Sequence, residues 1–148
     1  MPRLFAISEA ASLGLHAAVV LAGNDGRLVT TRELAERFDA SEAHLAKVLQ
    51  RLARGGLLTS TRGPAGGFRL ARPASEISLL EVYETIEGPL RPTTCLFGSP
   101  VCGRTACIFG DFLAEFDERF RAYLRGTTLA DLVAEEKRNG DSPKDNPD

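Results

Sequence analysis

The sequence predicts a mainly α fold with a small β-hairpin wing: a winged helix–turn–helix domain followed by a long C-terminal dimerisation helix. Three observations carry this. Three short amphipathic runs, the second and third opened by capping residues, follow one another closely before residue 55. Two strand-like runs then flank Gly63-Pro64-Ala65-Gly66-Gly67. Near the C-terminus a run rich in Phe repeats at helical spacing.

The first helix is expected over 8–22, with Leu15, Ala18, Val19 and Ala22 as its inward stripe, ended by the turn residues Asn24-Asp25-Gly26. A second helix is expected over 30–38, where Thr30 and Glu33 can form a capping box and Leu34, Ala35 and Phe38 face inward. After a break at Asp39-Ala40, Ser41 can cap a third helix reaching Arg54. Its apolar stripe is Leu45, Val48, Leu49 and Leu52; His44, Lys47, Arg51 and Arg54 form a second, basic stripe. Gly55-Gly56 ends it. Runs 57–62 and 68–72 form the hairpin. Ser78 and Glu81 propose another capping box, opening a helix with Leu79, Val82, Tyr83 and Ile86 that stops at Gly88-Pro89.

Residues 93–107, rich in Gly, Pro, Ser and Thr, read as a loop that holds all three cysteines. A longer helix follows, with Phe109, Phe112, Leu113, Phe116, Phe120, Tyr123 and Leu124 on one face. A small domain has little left to cover such a face, so a second copy is the expected cover; packing on the first helix is the alternative. Thr128 and Asp131 start a short closing helix, and 137–148 is polar and expected to be disordered. The expected organisation is thus a winged-helix domain over 1–90, a cysteine loop over 91–107, a dimerisation helix with a short closing helix over 108–136, and a tail.

Net charge is −2, which alone argues against a nucleic-acid partner. The distribution argues for one. Between Ala43 and Arg72 lie six cations (Lys47, Arg51, Arg54, Arg62, Arg69, Arg72) and no acid, whereas fourteen Asp and Glu follow Pro73. A helix–turn–helix sets the N-terminal part of its second helix against base edges, which nominates Ser41, His44 and Lys47, with Arg51 and Arg54 nearer phosphates. Arg62 stands beside the glycine-rich loop, suited to a narrow minor groove, while Gly63, Gly66 and Gly67 let backbone approach phosphates. Thr30 and Thr31, at a helix start, are further phosphate candidates. Double-stranded DNA is the expected partner.

The apolar stretch 10–22 is not expected to be a signal peptide: only Arg3 precedes it, Glu9 borders it and His16 interrupts it. It is too short to span a bilayer, so a cytoplasmic protein without a membrane partner is expected. No Ser/His/Asp triad, carboxylate pair or phosphate loop occurs at credible spacing, so no enzyme is expected. Cys95, Cys102 and Cys107, odd in number and clustered, point to metal ligation or redox chemistry rather than structural disulfides.

The stretch LLTSTRGPAGGFRL (57–70) closely resembles the wing signature of the Rrf2 (Rrf-two) family of bacterial winged-helix transcriptional regulators. The resemblance extends to SEAHLAKVLQRLARGG, SLLEVYETIEGPL, the three loop cysteines, the long helix and TLADLV. It implies a homodimeric repressor on a pseudo-palindromic operator, and an iron–sulfur cluster, [2Fe-2S] or [4Fe-4S], on the three cysteines. In some members a His three residues after the last Cys completes the site; here Gly110 stands there. In others an acid of the partner subunit's first helix does so. The corresponding position is near Ser12, which nominates His16 first and Glu9 second, with Asp111 a further option. Alternatives of the same fold sense by thiol oxidation or hold zinc. An iron–sulfur electron carrier or a winged helix used only for protein contacts fits the basic helix and wing less well.

Overall fold

The structure is a computed structural model and describes residues 7–97, 99 and 101–140. Its order is α1 (Glu9–Ala22), α2 (Thr31–Phe38), α3 (Glu42–Arg54), β1 (Leu58–Thr61), β2 (Gly67–Leu70), a 3₁₀ turn (Ala74–Glu76), α4 (Leu79–Glu87), α5 (Phe112–Gly126) and α6 (Leu129–Gly140). This is the mainly helical winged-helix architecture that the sequence predicts.

The caps sit where the side chains allow. Ser8, Thr30, Ser41 and Ser78 each accept a hydrogen bond from a backbone N–H of the following turn. At α2 the box is reciprocal, the Glu33 carboxylate accepting from Thr30 N at 2.7 Å. At α4 the carboxylate of Glu81 takes the Arg72 guanidinium instead, so the wing's trailing strand is tied to α4. Asp39 ends α2 in the left-handed region (φ 49°), and Ala40 N donates to Ala35 O at 3.0 Å, turning the chain directly into α3.

The core is one cluster. Leu45, Val48, Leu49 and Leu52 of α3 are fully buried, as expected, against Leu34, Leu21, Val82 and Ile86. In α1 the inward face differs from the expectation. Ala11, Leu13, Gly14, Ala17, Ala18 and Leu21 are buried, while Leu15, Val19 and Ala22 are only half-buried. The helix packs against α3, α4 and α6 at once, so it is covered from several sides and no single stripe describes it.

Two backbone pairings join segments distant in sequence. Val29 exchanges hydrogen bonds with Phe68 (2.9 and 2.8 Å), which lays the start of α2 along the wing. Leu79 N donates to Thr127 O, and Leu129 N to Ile77 O, each at 2.9 Å, which joins the starts of α4 and α6. Through this second pairing α6 returns to α1.

Two expectations near the C-terminus need correction. Phe109 precedes α5 rather than belonging to it, and the aromatic run is not one face. Leu113 and Leu124 are buried and Phe120 is partly covered, while Phe112 and Tyr123 are each 56% exposed. Phe112, Phe116 and Phe120 stack in sequence along the helix, with centroids 6.4 and 6.3 Å apart. A 3.6-residue period makes residues 112, 116 and 123 a second stripe, displaced from the 113, 120 and 124 row. Among the described residues α5 lies chiefly against α4 rather than α1. The closing helix runs to Gly140, so 137–140 is helical, not disordered; the remainder of the expected tail, 141–148, lies outside the described residues.

Candidate nucleic-acid interface and cysteine loop

A concavity of about 650 Å³ opens between α3 and the wing. The start of α2 supplies Thr30, Thr31 and Arg32; α3 supplies Glu42, Gln50 and Arg54; the wing supplies Thr61, Arg62, Gly63 and Gly66. Three guanidiniums, one carboxylate and the capped N-terminus of α2 thus surround one space, a net-cationic arrangement suited to a phosphodiester strand. Arg32 is held in its charged form by its hydrogen bond to Glu36. Glu33 is held below the usual carboxylate range, first by the Thr30 backbone N–H and then by the Thr30 hydroxyl.

The wing turn is shaped by glycine. A Cβ on Gly66 would lie 2.1 Å from Thr61 O, and one on Gly67 (φ 151°) would lie 2.7 Å from Val29 O. The first position closes the turn, Gly66 N donating to Gly63 O at 2.9 Å; the second lets the wing reach the start of α2.

The basic stripe of α3 divides. Arg51 donates to Ile86 O at 2.9 Å and is thereby committed to the end of α4. His44 lies half-buried, its Nδ1 4.0 Å from the Glu9 carboxylate on α1. Opposite the buried row, helical geometry sets Ala43, Lys47, Gln50 and Arg54 outward, and all four are exposed. Ser41 caps α3 through His44 N at 3.3 Å. Of the sequence candidates, Thr31, Arg62, Gly63 and Gly66 come together in the concavity and Lys47 lies on the adjoining face. His44 is half-buried beside α1, and Arg51, though exposed, donates to the end of α4. Sequence reasoning passed over Gln50, because a neutral side chain does not register in a search for cations.

All three thiols border one cleft of about 320 Å³, with Leu96, Phe97, Ile108, Phe109 and Arg104. Thiolates are the donors that iron–sulfur clusters and zinc take, so the donor set fits such a group. The sulfurs are not drawn together: among the described residues no three His, Cys, Asp or Glu side chains are close enough to hold a metal. Cys95 Sγ donates to Ser99 O at 3.4 Å, and Cys107 Sγ accepts from Phe109 N at 3.4 Å. The loop is anchored behind Cys95, where Thr93 N donates to the Asp117 carboxylate of α5 at 3.1 Å. Of the residues nominated to complete the site, exposed His16 has Nδ1 2.7 Å from Ser12 O, so a proton placed there leaves Nε2 as a free lone pair. Glu9 faces His44, and Asp111 is exposed at the start of α5 with no capping hydrogen bond.

The family model of the Rrf2 iron-dependent transcriptional regulators matches residues 7–135. The chain belongs to the Rrf2 family. Rrf2 proteins are DNA-binding transcriptional regulators, not enzymes, and are usually dimeric. Among solved structures, this Rrf2 chain is similar to CymR, the global cysteine regulator of B. subtilis, at 25% identity over 88% of this chain and 98% of that one, with a TM-score of 0.72. The oxidized form of Staphylococcus aureus CymR is 26% identical over 87% and 96%, with a TM-score of 0.68. IscR of T. potens shares the fold at 23% identity over 94% and 93%, with a TM-score of 0.70. Among the described residues no helix is long and apolar enough to cross a membrane.

Proposed function

We propose that this Rrf2 regulator is a repressor that senses through its cysteine loop. Cys95, Cys102 and Cys107 hold an iron–sulfur cluster, [2Fe-2S] or [4Fe-4S], and the state of the loop sets affinity for double-stranded operator DNA. The observation that carries this is that all three cysteines border one cleft immediately before α5, with their sulfurs apart. When bound, such a cluster supplies an electron-accepting and oxidant-sensitive iron centre. The chain's own residues supply the rest. Thr31, Lys47, Arg62, Gly63 and Gly66 hold the duplex, Ser41 sets the N-terminus of α3 against it, and two molecules pair through the exposed stripe of α5. His44 and Arg51 position α3 rather than touch DNA. The partner subunit's first helix completes the cysteine site, by its His16 before its Glu9, because the Nδ1–Ser12 hydrogen bond leaves the other ring nitrogen ready to ligate.

One hydrogen bond, between Thr93 and Asp117, ties the root of the loop to α5, and another, from Arg51, ties α4, from which the loop departs, to α3. A rearranged loop therefore pulls on α3, and a dimer's affinity depends on the spacing of its two reading helices.

A second reading, sensing by thiol oxidation or through zinc, is favoured by the separation and exposure of the sulfurs and by the likeness to an oxidized CymR. Anaerobic and aerobic purification, with visible absorption and assays of iron, zinc and acid-labile sulfide, separates the two. The cluster reading expects a coloured anaerobic protein whose iron and sulfide fall in each Cys→Ala variant and weaken in His16→Ala. Colourless anaerobic protein with trace iron overturns it; zinc, or thiols lost reversibly in air, then supports the second.

A further inference from the structure

Gln50 stands where the two halves of the proposed reading surface meet. It belongs to the outward row of α3 with Ala43, Lys47 and Arg54, and it also lines the concavity facing Thr61 and Arg62 of the wing. Its side chain makes no hydrogen bond with any described residue. The helix neighbours on its wing side, four residues before and three after, are Ala46 and Ala53, too short to screen its amide. Other polar groups near it have assignable tasks: Ser41 caps, Arg51 braces α4, and Arg54 carries charge toward an anionic backbone. A side-chain amide can donate to a phosphate oxygen, but that uses its N–H alone and leaves its carbonyl without a partner. Its coplanar donor and acceptor match N7 and the N6 amino group of adenine in the major groove.

We propose that Gln50 is a specificity-determining residue that selects adenine at one position of each operator half-site. The proposal rests on the DNA-binding reading above and adds to it which side chain chooses sequence. Gln50 and Lys47 lie about 4.5 Å apart along the helix axis, little more than one base step. The pair therefore reads neighbouring positions, Lys47 favouring guanine and Gln50 adenine.

The test is enrichment of sequences from a random duplex pool by the purified full chain, as isolated anaerobically and again after oxidation. Wild type is expected to enrich adenine at a position where Gln50→Ala lowers the preference roughly 5- to 150-fold, leaving the other positions unchanged. Gln50→Glu should shift that position toward cytosine, because a carboxylate only accepts and takes the cytosine amino group. The salt dependence of binding should be the same in Gln50→Ala as in wild type, since no charge is removed. An unchanged preference in Gln50→Ala, or an equal loss at every position, overturns the proposal while leaving the regulator reading intact. A wild-type protein that binds no duplex in either state overturns both.

Discussion

Replacing Asp117 with Ala removes the carboxylate that joins α5 to the root of the cysteine loop. One of its oxygens accepts from Arg121 Nε at 2.7 Å and the other from Thr93 N at 3.1 Å. Both charged side chains are largely shielded, at 14% and 16% exposure, and Arg121 Nη2 has no hydrogen-bond partner among the described residues. The guanidinium therefore depends on this one carboxylate. Breaking a fully buried pair costs ~3–5 kcal/mol, an exposed one ~0–1 kcal/mol. With some water contact and a long side chain able to turn outward, about 2 kcal/mol is expected here. The orphaned Thr93 N–H, half-buried and reachable by water, adds no more than about 1 kcal/mol. For a chain of this length the sum lowers Tm by roughly 4–12 °C. The assay is urea and thermal unfolding of cluster-free protein at one fixed concentration, so that ligand linkage is absent and the concentration dependence of a dimer is the same for every variant. Asp117→Asn, which keeps an acceptor for Thr93, should recover about half of the loss. Adding Arg121→Met to Asp117→Ala should recover more, because the stranded charge is gone. A Tm equal to wild type, or a double variant as unstable as the sum of the two singles, refutes the argument.

Three further outcomes are expected. Arg62→Ala should weaken duplex binding and reduce the slope of log affinity against log salt by about 0.9, measured by fluorescence anisotropy over a salt series. Phe112→Glu combined with Tyr123→Glu should give a folded monomer in sedimentation experiments, because both side chains are exposed in the single chain and contribute little to its own core. Glu33 and Asp131 are held below their ordinary values of 4.5 and 3.8, first by the backbone N–H of Thr30 and of Thr128 respectively. Their contribution to stability is fully present above those values and is lost as pH falls through the lowered folded ones. The urea midpoint should therefore drop between pH 5 and pH 3, less steeply in Glu33→Gln with Asp131→Asn.

The element starts were legible because a cap is a conversation within four residues. Thr30 with Glu33, Ser41, Ser78, and Thr128 with Asp131 all cap the helices they precede. The glycines of the wing were legible for the same reason, each answering a clash within the turn or against the adjoining backbone. The candidate site was readable as a set of segments, the third helix, the wing and the cysteine loop, and less so as a set of side chains. Periodicity located the basic stripe of α3 and said nothing of which neighbours its edge residues would meet. It likewise merged two aromatic rows of α5, because residues at 112 and 113 satisfy similar spacings when the core direction is unknown.

Residue order by itself determined where the capped helices begin, that the cations fall on one helix and one hairpin, and that three thiols share a loop. Each of those depends on contacts a few residues long. The tertiary structure alone decided which of those cations face outward, since Arg51 finds its acceptor 35 residues away and His44 finds Glu9 on another helix. It also decided that an unremarked glutamine stands at the mouth of the concavity. A side chain's task follows from the field and the partners around it, and packing brings those from distant parts of the chain.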